Sequence, residues 1–187
     1  MDVSISEPPL VSFNNYNTLK CPGQAKFHIL KYISALAEAI VRKNGRIFTD
    51  TRVSDIEDHE TGAVIKTKNG FIVKAVNAVI ATNSPISDNI SVHTKQTAYR
   101  TYVIGYEIKK NSVPDFLIWD TESPYHYIRI YQDKDNDILI IGGEDHKTGH
   151  EHNPEERFKK LGDWAALHFK IPDSPEYKWS GQVMEPI

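Results

Sequence analysis

Cysteine is nearly absent: Cys21 is the only one in 187 residues. An internal disulfide is therefore excluded, as is a zinc site built on paired Cys-x-x-Cys motifs, and the usage fits a reducing compartment. Long apolar runs are lacking too; none approaches the roughly 20 residues that a membrane-spanning helix needs. The opening residues, MDVSISEPPL, have neither the basic start nor the apolar centre of a signal peptide. There is no basic excess. With 22 Lys and Arg against 25 Asp and Glu the net charge is -3, so neither nucleic acid nor a polybasic membrane contact is expected. The patterns G-x-G-x-x-G and G-x-S-x-G do not occur. Their absence excludes a complete dinucleotide phosphate loop and a hydrolase nucleophile elbow within these residues. What remains is a cytoplasmic globular protein of one sizeable domain, or one domain plus part of another.

The patterning that is present divides the chain. Residues 1–27 carry Pro8-Pro9 and a Cys21-Pro22-Gly23 turn and read as lead-in strands. From about residue 27, Ile29, Ile33, Leu36 and Ile40 recur at helical spacing, widened by Leu30, Ala37 and Val41. Asn44-Gly45 supplies a left-handed stop. Residues 46–56 alternate as a strand. Residues 63–67 and 71–76 form a hairpin across Asn69-Gly70, the pair suited to a two-residue type I′ turn. The apolar run 77–81 reads as a strand buried on both faces. Residues 83–95 are rich in Ser, Asn and Asp and read as a crossing to a second sheet.

That sheet takes in strands over 97–108, 117–120, 125–131 and 138–141, with 133–137 a polar hairpin loop and Gly142-Gly143 the end of the sheet. Asn153-Pro154-Glu155-Glu156 starts a helix that runs to about residue 169. Residues 177–183 form a last strand, and the abrupt finish at Pro186-Ile187 reads as a cut domain. The expected fold class is α/β with α+β character. A partial α/β segment is joined to a mixed, largely antiparallel sheet covered by a helix.

Three stretches carry a resemblance: AVNAVIATNSP over 75–85, YHYIRIYQDKDNDILIIGGEDH over 125–146 and YKWSGQVMEP over 177–186. In order and spacing they resemble the FAD-dependent oxidoreductases of the D-amino-acid oxidase and glycine oxidase superfamily, and most closely a branch often fused to a Rieske iron–sulfur domain. The resemblance implies an FAD cofactor, oxidation of a small molecule by hydride transfer to flavin, and a Rieske or other electron-transfer partner. It makes 28–84 a partial FAD-binding segment and 85–187 a substrate-binding domain, so that the chain is an inner piece of a larger enzyme, inactive alone. In the family a valine after the long helix meets the adenine edge through its main chain, and Val53 stands at that place in TRVSDIE. Ala81, Thr82 and Asn83 would line the adenosine and pyrophosphate side. Read without the resemblance, these are core strands of an α/β layer.

Amine-oxidising relatives carry Gly-Leu-Arg-Pro near the returning strand, with the Arg holding a substrate carboxylate. Here Gly181-Gln182-Val183-Met184-Glu185-Pro186 stands instead. Glycine, sarcosine and common D-amino acids are therefore expected to be poor substrates. Tyr127 and Arg129, with His126, are candidates for a polar substrate wall together with Gln182 and Met184; otherwise Tyr125, Tyr127 and Arg129 share a solvated sheet face. The cluster Glu144-Asp145-His146 with His150-Glu151-His152 has metal-ligating residue types but no standard spacing, and reads as a solvated loop with no metal. The alternative function is a non-catalytic ligand-binding or interaction domain that keeps the fold without cofactor.

Overall fold

The computed structural model describes residues 3–13, 17–82, 86, 96–149 and 153–186. The chain divides into two compact units, one formed by residues 1–4 and 20–89, the other by 5–19 and 90–187. Short strands β1 (Ser4–Ser6) and β2 (Thr18–Lys20) pair with each other.

In the first unit, α1 (Ile29–Arg42) begins at His28, whose Nδ1 accepts the Lys31 N–H at 3.3 Å. It ends at Asn44, which takes a left-handed φ of 63°. Its apolar stripe is as the spacing predicts, yet no residue of α1 is buried: Ile33 is 51% exposed and Leu36 45%. A three-stranded antiparallel sheet follows, ordered β3 (Val53–His59), β4 (Gly62–Thr67), β5 (Ile72–Ala75). The Lys66 ammonium pairs with Glu57 across β3 and β4, holding that carboxyl below its usual range chiefly through the hydrogen bond.

Three expectations change here. Residues 46–50 are not a strand, because Asp50 adopts a φ of 52° and breaks the extended run. The β4–β5 connection is not a type I′ turn: of Asn69 and Gly70 only Gly70 has positive φ (83°), and Thr67 pairs with Phe71 around a three-residue loop. Residues 77–81 form no strand and are exposed, Val79 by 90%. An inner strand needs neighbours on both edges, and among the described residues nothing pairs with this run. The expected crossing over 83–95 lies outside the described residues except Ile86.

The second unit is a five-stranded antiparallel sheet in the order β10-β6-β9-β8-β7. The strands are β6 (Gln96–Ile108), β7 (Leu117–Trp119), β8 (His126–Gln132), β9 (Asp137–Lys147) and β10 (Tyr177–Pro186). Helix α2 (Pro154–His168) lies on one face, with Pro154 in its first turn. The registers bring apolar residues into rows on that face. Ile104, Ile141 and Ile128 make one row, and Tyr106, Leu139 and Ile130 the next. Leu161, Ala165 and Phe169 close over them, joined by Phe13.

Residues 133–136 form the expected loop, but two boundaries of the sheet differ from expectation. Asp137 is 1% exposed within β9, and its Oδ2 accepts the Asn111 N–H at 2.7 Å, fastening the turn after β6. Gly142-Gly143 does not end the sheet either. β9 continues to Lys147, because the glycines admit a close neighbour on each side of the strand: Tyr127 against Gly142 and His126 against Gly143.

Candidate functional site on the open sheet face

Side chains alternate across a strand and paired residues share a face, so the registers assign every position to the helix side or to the open side. One open-face row runs Trp119, Tyr127, Gly142, Val103, Trp179. The adjacent row runs Leu117, Arg129, Ile140, Gly105, Tyr177. The face is thus lined with aromatic rings, two of which cover its glycines, Tyr127 over Gly142 and Tyr177 over Gly105. A Cβ on Gly142 would lie 2.0 Å from Tyr127 Cζ and 2.2 Å from its hydroxyl, so the Tyr127 ring lies flat across this glycine. Gly181 has open space above it.

A polar group is set into this surface. Tyr125 and Tyr127 lie with ring centroids 6.2 Å apart. Partial burial, and next the Asp145 carboxylate, push the Tyr125 phenol up to about 12. Burial also raises Tyr127, partly offset by the Thr101 hydroxyl. Both phenols are therefore neutral donors at physiological pH. Arg129 Nε is buried with no hydrogen-bond partner among the described residues. The face grades from the Arg129 cation at one end to Asp145 and Glu185 at the other; Glu185 also acts electrostatically on Tyr125.

Asp145 reaches this face through a bulge. The β6–β9 register slips between Arg100 and Tyr102, where Glu144 takes a φ of 55°. Glu144 turns to the helix side and meets Arg157 Nη1 at 3.2 Å. His146 also lies on that side, stacked against Tyr102 with centroids 5.6 Å apart. Residues 144–146 are thus strand rather than solvated loop, while His150, Glu151 and His152 lie outside the described residues. Reading by residue type placed Asp145 among metal-ligating side chains. Its role beside the tyrosines depends on the bulge, which is signalled only by the paired glycines before it.

The sheet brings together only part of the expected polar wall. Tyr127 and Arg129 stand side by side on the open face. His126, between them in sequence, is on the helix side, buried under Trp164. Gln182 and Met184 are also on the helix side: they pair with Arg100 and Ala98, in step with Tyr102 and Ile104. They touch each other there, Gln182 Nε2 to Met184 Sδ at 3.3 Å. In the 181–185 stretch, the β10 positions that share a face with Arg129 are Gly181, Val183 and Glu185, in line with Tyr177 and Trp179.

In the first unit, Val53 begins β3, the edge strand, and pairs with Thr67. Ala81 and Thr82 lie in the exposed run, and Asn83 lies outside the described residues. No glycine loop for dinucleotide phosphates exists in these 187 residues.

The chain belongs to the FAD dependent oxidoreductase (DAO) family, whose pattern matches residues 7–186. It is similar to a Bacillus subtilis (strain 168) protein named as a Rieske 2Fe-2S iron-sulfur protein, YhfW. The two are 28% identical over 166 residues, covering 88% of this chain and 32% of the relative. The fold is that of glycine oxidase from Geobacillus kaustophilus, with a TM-score of 0.72 at 17% identity over 99% of this chain and 52% of that one. It also matches NikD, an unusual amino acid oxidase essential for nikkomycin biosynthesis. There the TM-score is 0.71 at 11% identity, over 86% of this chain and 45% of that one. The chain therefore spans about a third of the curated relative's length and about half of these solved chains. No helix among the described residues is long and apolar enough to cross a membrane.

Proposed function

We propose that this chain is an inner part of a longer FAD-dependent oxidoreductase, and that a small molecule is oxidised over the open face with Arg129 anchoring an anionic group. The observation that carries this reading is the buried, unpartnered Arg129 Nε beside two neutral phenols. A buried guanidinium donor without an acceptor is costly unless a ligand completes it. Tyr127 and Tyr125 would donate to polar atoms of the substrate, and the open space at Gly181 would admit it. FAD, when bound, supplies the hydride acceptor for such an oxidation. Val53, Ala81, Thr82 and Asn83 are proposed for its adenosine side. Residues 28–84 are proposed as the flavin-side segment, with 1–27 and 85–187 on the substrate side. The name of the Bacillus relative supports a Rieske or similar electron-transfer partner.

The anchor's position bears on substrate choice. Arg129 is on β8, three strands from β10, a shift of roughly 14 Å at ordinary strand spacing. A short α-amino acid held there would present its α-carbon at a different place over the sheet from one held at β10. Glycine, sarcosine and common D-amino acids should therefore reduce the flavin poorly. The test uses the full-length protein: anaerobic flavin reduction across a panel of small carboxylates and neutral amines, repeated with Arg129→Met. The expected result is a KM raised at least tenfold for anionic reductants, with neutral ones little changed. An unchanged KM for every active compound would remove Arg129 from the site.

A further inference from the structure

On the helix side of the sheet, in the connection between β7 and β8, we infer a divalent-cation site formed by Asp120, Glu122 and His126. Asp120 is fixed first: its Oδ1 accepts the Glu122 N–H at 3.2 Å and the His126 N–H at 2.7 Å. That leaves Oδ2, which lies 2.7 Å from His126 Nδ1. Glu122 Oε2 lies 3.8 Å from the same nitrogen. The three side chains converge, with one ligand atom of each within 4.8 Å of the others.

A second observation comes from the far side of the ring. His126 is 3% exposed, and its Nε2 is buried without a hydrogen-bond partner among the described residues, facing Glu144 Oε1 at 3.8 Å. Both ring nitrogens thus look onto carboxylates. A neutral imidazole has one N–H and one lone pair. Whichever nitrogen carries the hydrogen, the other directs a lone pair at carboxylate oxygen in a buried place. Either a second proton, which makes both nitrogens donors, or a cation on Nδ1 removes that conflict, and the converging Glu122 carboxylate favours the cation. The cation also fixes the hydrogen on Nε2, pointing at Glu144, which is how metal-bound histidines are normally oriented by a carboxylate behind them. Arg157 holds Glu144 at 3.2 Å, and Trp164 stacks on the imidazole at 4.2 Å.

One imidazole and two carboxylates with open positions suit Zn²⁺, and the two carboxylates balance its charge. Tetrahedral zinc bonds place ligand atoms about 3.3 Å apart, so Asp120 Oδ2 would move outward from Nδ1 as the ion displaces any shared proton to solvent. The Glu122 side chain is 44% exposed and leaves a path in. Such an ion would fix the connection before β8 and, through His126 and Glu144, steady the bulge that delivers Asp145 to the open face.

The test is zinc titration of the untagged chain by calorimetry, with elemental analysis after dialysis. One equivalent should bind and raise the thermal midpoint. Glu122→Gln, on the exposed ligand, should weaken binding at least tenfold while leaving the circular dichroism spectrum unchanged. Glu144→Gln, which does not touch the ion, should weaken it by about 10- to 100-fold. A His150→Ala, His152→Ala double variant should bind as the parent does. Absence of saturable zinc binding, or binding that survives Glu122→Gln, overturns the assignment.

Discussion

Gly142 and Tyr127 illustrate how a single hydrogen shapes the open face. A methyl at Gly142 would fall 2.0–2.4 Å from three atoms of the Tyr127 ring, so the ring must lift or the strands must part. Gly142→Ala should cost about 1–3 kcal/mol by urea unfolding. In a Tyr127→Ala background the same change should cost far less; equal costs in both backgrounds would mean that the ring is not the obstacle. Tyr125 offers a titration. Its folded pKa, about 12, lies above the ordinary 10.0 because partial burial and Asp145 favour the neutral phenol. The neutral phenol's contribution to stability is therefore full below pH 10.0 and is lost as pH rises through about 12. Rapid pH jumps read by phenolate absorbance should show a late step that Tyr125→Phe removes and Asp145→Asn shifts downward. A Tyr125 that ionises with the exposed tyrosines would contradict this account.

Among the elements, α2 carries the clearest prediction. Leu161 is fully buried against the sheet, whereas Glu156 is exposed, 3.5 Å from Lys160. Leu161→Ala should cost about 2–5 kcal/mol through the cavity it leaves, and Glu156→Ala about 0.3–0.5 kcal/mol; comparable urea midpoints for the two would argue against this packing. Helix periodicity and β-rich runs made α1, α2 and most strands readable from residue order, because each depends on local spacing. The misreadings depend on what lies elsewhere. The apolar run 77–81 looked like an inner strand, but that state needs partners on both edges. Gly142-Gly143 looked like a terminus because Tyr127, which crosses Gly142, arrives from another strand. For the site, Tyr127 and Arg129 were readable as a pair since they alternate along one strand. Gln182 and Met184 could not be placed, because their face is set by registers carried across three strand pairings. Asp145 could not be placed because a bulge inverts the alternation at Glu144.

The whole molecule leaves much apolar surface uncovered in its first unit. The stripe of α1 is half exposed, as are Phe48, Phe71, Ile72 and Val73, and Val79 is almost wholly so. Patches of this kind mark surfaces built to be covered, and in the proposed reading further chain of a longer flavoenzyme covers them. Without a phosphate-binding glycine loop, the 187-residue chain should retain no stoichiometric flavin after dialysis against FAD; a persistent visible flavin band would show that it needs no more chain to hold the cofactor. The second unit stands on different terms. Its helix side holds the packed core, while its open side holds the aromatic and polar residues, and the alternation of the strands keeps the two apart position by position. Substitutions at 101, 127, 129 or 179 can therefore drift under selection for new chemistry while residues 104, 128, 139 and 141 are held by folding alone. In the proposed reading, a lineage could change what it acts on without first losing, then rebuilding, the scaffold that presents it.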